Sequence, residues 1–271
     1  MRMIAVAAAL GVAVALGGCA ATDEQTAAQR LAQLPPWEMA QKTLEAASAD
    51  IAGKGAAGVQ PHVAALEQAL AAAPSVLLAP QYKGAEQVVL ADGPAEAAAV
   101  AAALAGGAGR TPAQGNVTVT NNPYPTIALL LGGHYVHAGQ PAEALRVLDA
   151  GLALPGAAKG AELGASLRLL HAERGVALGL MQRWPHALAS YDRGLRLPGL
   201  SAPERARLLR GRAVALIELK RLDEAEVALA NALRLDPDNA LARQEQLYIG
   251  ALRSGMAPVA ARASVTGRPA P

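Results

Sequence analysis

Small and large apolar residues recur at the same spacing in three segments downstream of residue 123. In each segment a large apolar residue lies three positions after a small residue, and an alanine lies twelve positions after it. A second large apolar residue, a second small residue and a proline follow the alanine. The three sets are Gly132, Tyr135, Ala144, Leu148, Gly151, Pro155; Gly175, Leu178, Ala187, Tyr191, Gly194, Pro198; and Ala213, Leu216, Ala225, Leu229, Ala232, Pro237. Spacings of three and four are typical of residues on one face of a helix, so each segment is predicted to contain helices.

Local signals mark where these helices begin and end. Ser201 and Glu204 have the spacing of a capping box, which opens the first helix of the third pair. Proline follows each second helix because it cannot continue one. After Asp236-Pro237-Asp238, apolar residues alternate with polar ones, which predicts a helix over 238–253 that covers the last apolar face.

The chain between residues 36 and 115 has a weaker pattern. Helices are predicted over 36–51 and 61–74, and the second of these fits half of a degenerate repeat. Val88–Leu90 and Val117–Val119 are compatible with short strands or with extended loops. A Gly-rich stretch, 106–115, predicts a subdomain boundary. The region is therefore Ala-rich and mainly helical.

Composition supports a helical protein. Hydrophobic residues make up 52% of the 271 residues, but aromatic residues only 3%, and phenylalanine is absent. Alanine, a strong helix former, fills the difference. The net charge of +2 gives no reason to expect a nucleic-acid partner. A single cysteine excludes an intramolecular disulfide and any multi-cysteine metal site.

That cysteine lies at the end of an N-terminal apolar run. Arg2 precedes a run from Ile4 to Leu16, too short to span a membrane, and the pattern predicts a secretory signal over 1–18. Leu16-Gly17-Gly18-Cys19 resembles the lipobox of bacterial lipoproteins. The alternative is an ordinary signal peptide that is cleaved after Ala20 or Ala21. The segment 19–35 is expected to be a flexible tether, and 254–271 a disordered tail.

The lipobox resemblance implies a covalent lipid on Cys19. Diacylglycerol would be attached to the thiol and an acyl chain to the freed amine. Each buried CH₂ contributes about 0.8 kcal/mol, so three chains anchor a protein firmly. Ala20 follows where aspartate would favour retention in the inner membrane, so we expect the periplasmic face of the outer membrane. No other cofactor is expected.

The three-fold spacing resembles the tetratricopeptide repeat (TPR). The resemblance covers about residues 123–238 and implies an all-α solenoid of about three helical hairpins, with a capping helix. It also implies that the two helices of each hairpin cross at the small residues, with the large apolar residues packed beside them. The period is longer than the family's 34 residues: 43 and then 38 separate the first small residues. The family's tryptophan is replaced by Ala128, His171 and Leu209. The leucine before the small residue is kept at Leu131 only, with Arg174 and Arg212 in the other repeats.

In TPR proteins the first helices of the pairs line a concave groove that holds a peptide or helix. The equivalent positions of this chain are candidates for binding a partner. They are Leu129, Gly133, Val136 and His137; Ala172, Val176, Gly179 and Leu180; and Arg207, Arg210, Val214, Ile217 and Glu218. The result is an apolar groove with a basic end. Alternatively, residues 36–115 of the same chain fill it.

Other motifs point to no chemistry. Arg205, Arg207, Arg210 and Arg212 form either an anion-binding surface or a solvated helix face. His134 and His137 have no acidic neighbour on their helix to complete a metal site, and Gly106–Arg110 lacks the ending of a P-loop. No catalytic constellation can be assembled, so we expect neither an enzyme nor a metal protein.

These observations favour a membrane-anchored interaction scaffold. Its partner would be a protein or peptide segment of the cell envelope, and its task assembly or regulation of the kind found in pilus, secretin or outer-membrane biogenesis. The alternative is a carrier or sensor of a small apolar ligand or lipid, bound between the N-terminal region and the repeats.

Overall fold

The computed structural model describes residues 34–74, 81–83, 86–106, 117–154 and 164–257. The helices and strands belong to one compact unit that begins at Pro36. The N-terminal elements are α1 (Pro36–Lys54), a 3₁₀ helix (Gly55–His62), α2 (Val63–Ala71), β1 (Gln81–Lys83), β2 (Glu86–Ala91), α3 (Pro94–Gly106) and β3 (Val117–Asn121). The C-terminal helices are α4 (Pro123–His137), α5 (Pro141–Ala153), α6 (Leu167–Leu180), α7 (Trp184–Arg196), α8 (Ala202–Glu218), α9 (Leu222–Leu235) and α10 (Ala240–Arg253).

The C-terminal helices form a TPR-like solenoid of three hairpins, as the spacing predicts. The hairpins are α4–α5, α6–α7 and α8–α9, and α10 packs on the last of them as a capping helix. The first helices α4, α6, α8 and α10 also pack on one another in that order. Stacking buries a continuous apolar core that no hairpin could bury alone.

Small residues sit where the two helices of a hairpin cross. A Cβ added to Gly132 would lie 2.6 Å from the Leu148 side chain, and one added to Gly175 would lie 2.5 Å from the Tyr191 ring. In the third hairpin Ala213 and its counterpart Leu229 are both fully buried. The predicted packing of small against large residues is therefore confirmed in the first two repeats, and in the third both members of the pair lie in the core.

The turn within each hairpin has the same backbone form. Gly139, Gln182 and Lys220 lie seven residues after the small residue of their repeats and adopt φ values of 70°, 58° and 61°. These left-handed φ values suit glycine best, so the backbone of Gln182 and of Lys220 is strained in order to form the same turn as at Gly139. In each turn the next amide N donates to a carbonyl five residues earlier, at 2.8–2.9 Å.

Side-chain caps mark the starts of two helices of the repeats. Ser201 and Glu204 form the expected capping box, in which the Ser201 amide donates to Glu204 Oε2 at 2.8 Å. Asn122 caps α4 by accepting a hydrogen bond from the Tyr124 amide at 3.2 Å. Such caps satisfy amides that have no partner within the helix.

The N-terminal hairpin α1–α2 packs on α4. Trp37 and Leu66 lie in one core with Tyr124 and Leu131. The Tyr135 hydroxyl donates to Glu67 Oε1 at 2.9 Å and so links α4 to α2. The N-terminal region thus extends the stack of helices beyond the first repeat.

Two buried polar groups of this core lack a hydrogen bond. Tyr124 is fully buried, and neither its Oη nor Trp37 Nε1 has a partner within the described part of the chain. Burial raises the pKa of Tyr124 to about 12 because the phenolate would be poorly solvated.

A three-stranded sheet, in the order β1-β2-β3, lies between the N-terminal hairpin and the repeats in sequence. β1 pairs antiparallel to β2, and β2 pairs parallel to β3 with Val88 opposite Thr118. Residues 88–90 and 117–119, for which the sequence was compatible with either a strand or a loop, thus lie in strands. They lie on either side of the Gly-rich stretch, and residues 107–116, where the subdomain boundary is predicted, lie outside the described residues.

The end of β2 is tied to the start of the second repeat. The Asp92 carboxylate accepts from the Ser166 amide and from Ser166 Oγ, both at 2.9 Å, and the Asp92 carbonyl accepts from the Ala165 amide at 2.8 Å. Asp92 therefore caps α6 from a distant part of the chain. The Asp92 amide donates to the buried Glu96 at 2.6 Å. We name this set of contacts the Asp92 clasp.

Candidate partner-binding surface

The apolar positions predicted to line the groove are largely inside the chain. Val136, Val176, Val214 and Ile217 have at most 6% of their surface exposed, and Ala172 and Gly179 are also buried. Leu129 and Leu180 are partly buried against the core, and His137 is exposed. The stack thus uses most of these apolar side chains for its own packing.

The two histidines of α4 have local contacts. His137 Nδ1 lies 2.8 Å from the Gly133 carbonyl oxygen one turn earlier, and the His134 ring meets the Tyr135 ring edge to face. A Cβ added to Gly133 would meet no atom within 4 Å, so the surface beside His137 is open.

The arginines of α8 are engaged with acids. Arg207 forms an ion pair with Glu173 of α6, and Arg212 Nε donates to Asp192 of α7 at 2.8 Å. Arg210 is only 8% exposed, whereas Arg205 is exposed. The end of the groove that looked basic in the sequence is therefore largely compensated.

Five charged residues from three first helices come together here. We name them the charge cluster; its members are Glu173 of α6, Arg207, Arg210 and Glu218 of α8, and Glu245 of α10. Arg210 lies close enough to Glu245, Arg207 and the buried Tyr191 to interact with their charges, and Glu245 interacts in the same way with Glu218. The sequence analysis identified the three residues of α8.

Burial governs the ionisation of this cluster. It lowers the pKa of Arg210 and raises those of Glu218 and Glu245, since each charged form loses contact with water. For Glu245, Arg210 opposes the rise and Glu218 adds to it. Burial also raises the pKa of Tyr191, beside the cluster.

Glu173 and Glu245 could have been found from the repeat spacing. Glu173 follows Ala172 directly, and Glu245 lies 38 residues after Arg207, which is the period of the last repeats. Treating the capping helix as a fourth first helix would have placed Glu245 on the same surface. The predicted groove positions covered only the three complete hairpins and therefore did not include Glu245.

Charged side chains held in fixed positions can recognise the charges of a partner segment and set its register. Within the described ranges, no three side chains among His, Cys, Asp and Glu are grouped so that they could hold a metal ion.

The predicted signal segment, the lipobox, Cys19 and most of the tether lie outside the described residues, as do Gly107–Arg110 and the tail from 258 onward. No helix in the part of the chain that is described has both the length and the apolar character needed to cross a membrane.

No protein-family model matches this chain, and no curated protein does. Among solved structures it is similar to the one described as "First TPR of Spaghetti (RPAP3) bound to HSP90 peptide SRMEEVD". The two are 18% identical, with a TM-score of 0.41, and the match covers 48% of this chain and 94% of that chain. The TPR-like description given above rests on the helix pairs and on the small residues between them.

Proposed function

We propose that this protein is a non-enzymatic interaction scaffold, whose TPR-like stack holds a segment of a partner protein. The observation that supports this most is the convergence of α6, α8 and α10, which gather five charged residues on one surface. Partly buried charges are costly to stability, so the presence of several on one surface favours a role in recognition.

We further propose that the scaffold is anchored by lipid on Cys19, at the periplasmic face of the outer membrane, and that its partner is an envelope protein. The lipobox resemblance at Leu16–Cys19 supports this proposal. The task would be assembly or regulation of an envelope complex, in the manner of pilus, secretin or outer-membrane biogenesis. A short tether would keep the repeats close to the membrane surface.

Site-specific photocrosslinking in the native cell tests the scaffold. A photoreactive amino acid is placed at His137, which is exposed at the end of α4, or at Arg207, a predicted groove position that is exposed on α8. The matched control position is Arg234, exposed on the second helix α9. Such exposed positions avoid the unfolding that a charge at the buried Val136 or Ile217 would cause.

We expect the same partner adduct from the two first-helix positions and a much weaker one from Arg234. Equal adducts from all three positions, or none from His137 and Arg207, would contradict the scaffold proposal.

A further inference from the structure

β3 forms one edge of the three-stranded sheet, and its hydrogen bonds show which of its backbone groups face outward. The Asn122 amide donates to the Ala91 carbonyl at 2.9 Å. Backbone groups of successive residues in a strand point to opposite sides, so every second residue of β3 faces β2. The amides and carbonyls of Val117, Val119 and Asn121 therefore point away from β2, and no other described strand pairs with them.

The two edges of the sheet are protected differently. β1 has only three residues and contains Lys83, and both a short length and a lysine hinder pairing with another strand. β3 has five residues, with neither a charged residue nor a proline among them. Its Thr118 and Asn121 are exposed. Among the described strands, β3 is therefore the one whose edge is open to a further strand.

The faces of the sheet, by contrast, are covered. Val88 and Leu90 of β2 lie in the core that the sheet shares with the first repeats. On the opposite face, Val89 packs with Val100 of α3, and Val119 is partly buried against them. The fold thus holds β3 extended, so pairing at its edge requires little further ordering of the chain.

We propose that the open edge of β3 pairs antiparallel with β3 of a second copy of this chain. In this register Val119 exchanges two hydrogen bonds with the second copy's Val119, and Val117 does the same with the second copy's Asn121. Every outward amide and carbonyl of β3 then has a partner. A two-fold axis at Val119 relates the two copies, as in most dimers of identical chains.

The strand is its own complement in this register, which favours a second copy over an unrelated segment. Thr118 faces the second copy's Thr120, a favourable pair across strands, and no like charges oppose each other. A second copy also presents a strand that is already extended, whereas an unrelated segment has to be ordered on binding. The inference goes beyond the scaffold function and does not depend on the charge cluster.

Sedimentation equilibrium of the purified chain tests the proposal. The chain carries Cys19→Ala, which removes its single native thiol. Two five-residue strands form a small interface, so we expect a reversible dimer with a dissociation constant on the order of 100 µM. A chain that stays monomeric up to about 1 mM would overturn the proposal.

Val119→Pro locates the contact. It removes an amide that points to the second copy but none that points to β2, so the pairing of β2 with β3 is retained. We expect the dimer to weaken at least about tenfold. Asn121→Ala changes an exposed side chain of the same strand and keeps every backbone group, so it should dimerise like the parent chain. Urea unfolding verifies that both variants are folded, and a folded Val119→Pro chain that dimerises like the parent would contradict the proposal.

Disulfide crosslinking tests the register, even if Val119→Pro does not fold. Residues of a hydrogen-bonded antiparallel pair have Cα atoms about 5.5 Å apart, a separation that a disulfide spans. With copper phenanthroline as the oxidant, Val119→Cys should therefore give a disulfide-linked dimer. Asn121→Cys faces position 117 of the second copy and should give little. Equal crosslinking at the two positions, or a Val119→Cys chain that crosslinks in cell extracts to a different protein instead of to its own copy, would overturn the second copy as the occupant.

Discussion

Arg174 Nε donates a hydrogen bond to Asp149 Oδ1 at 2.6 Å across the first repeat boundary, and Arg212 Nε makes the same bond to Asp192 at 2.8 Å across the second. Each arginine directly precedes the small residue of its first helix, and each aspartate lies five residues after the alanine of the preceding second helix. The same ion pair thus recurs at equivalent positions of both repeat interfaces.

We expect Asp192→Asn to lower the free energy of unfolding by about 0.2–1 kcal/mol, the range typical of partly exposed ion pairs. A double-mutant cycle with Arg212→Ala should show a coupling energy of that size, which decreases as salt is added. Strictly additive single substitutions in urea unfolding would show that the pair contributes nothing.

Tyr124→Phe should stabilise the protein. The Tyr124 hydroxyl is buried and has no partner among the described residues, and removing it avoids a desolvation cost of about 1–3 kcal/mol. Tyr135→Phe is the matched control, since its hydroxyl donates to Glu67 and its loss should destabilise. Thermal and urea unfolding measure both; a loss of stability in Tyr124→Phe would mean that its hydroxyl is satisfied.

Gly175→Ala should destabilise by about 1–3 kcal/mol, because its Cβ would lie 2.5 Å from the buried Tyr191 ring. Gly250→Ala introduces the same methyl group in α10, where no atom lies within 4 Å, and should stabilise by up to about 1 kcal/mol. Opposite signs in the two variants are the expected result. Equal effects would contradict the close crossing of α6 and α7.

Asp92 makes stability depend on pH. Burial raises its pKa above the ordinary value of 3.8, despite the hydrogen bonds from Ser166. Its folded-state pKa exceeds the unfolded value, so its contribution is fully present below 3.8 and is lost as the pH rises through the folded pKa. The parent chain should therefore lose stability relative to Asp92→Asn as the pH rises.

Urea unfolding of both proteins between about pH 4 and about pH 7 measures this difference. Asp238→Asn, at a fully exposed side chain, serves as the control and should show no such trend. A difference that is constant or that moves in the opposite direction would contradict the role assigned to burial at Asp92.

Cys19→Ala should release the protein from membranes, because the acyl chains that provide anchoring would be missing. Fractionation of cells and metabolic labelling with a fatty-acid analogue measure the two effects. Thr22→Ala, three residues downstream, is the control and should remain in the membrane fraction. Continued membrane association of Cys19→Ala would overturn the lipid anchor.

The sequence was most informative where structure depends on residues close together in the chain. The crossing of Gly132 with Leu148 and the capping box at Ser201 follow from spacing, because helix geometry brings such residues together wherever the helix lies. Arg174 and Arg212 depart from the TPR pattern. Each is explained by its ion pair with an aspartate on another helix, which spacing within one helix does not reveal.

Contacts between distant segments could not be predicted. β2 and β3 are short, and their pairing depends on neighbours in space. The spacing of apolar residues therefore could not decide whether these segments are strands or loops. The burial of Val136 and Ile217 depends in the same way on how neighbouring helices stack. The surface that remains accessible is therefore more charged and less apolar than the sequence suggested.

The Asp92 clasp has a consequence for how the protein folds. Repeat arrays normally unfold one hairpin at a time from their ends, since each hairpin touches only its neighbours. Here the contact between Asp92 and Ser166 joins residues 74 positions apart and encloses the whole first repeat in a closed loop. Closing such a loop costs entropy that local helix formation does not, so the hairpins form early and the clasp late. Once the clasp has formed, the first repeat cannot separate from the second unless the clasp breaks. We therefore expect the two repeats to unfold as one cooperative unit.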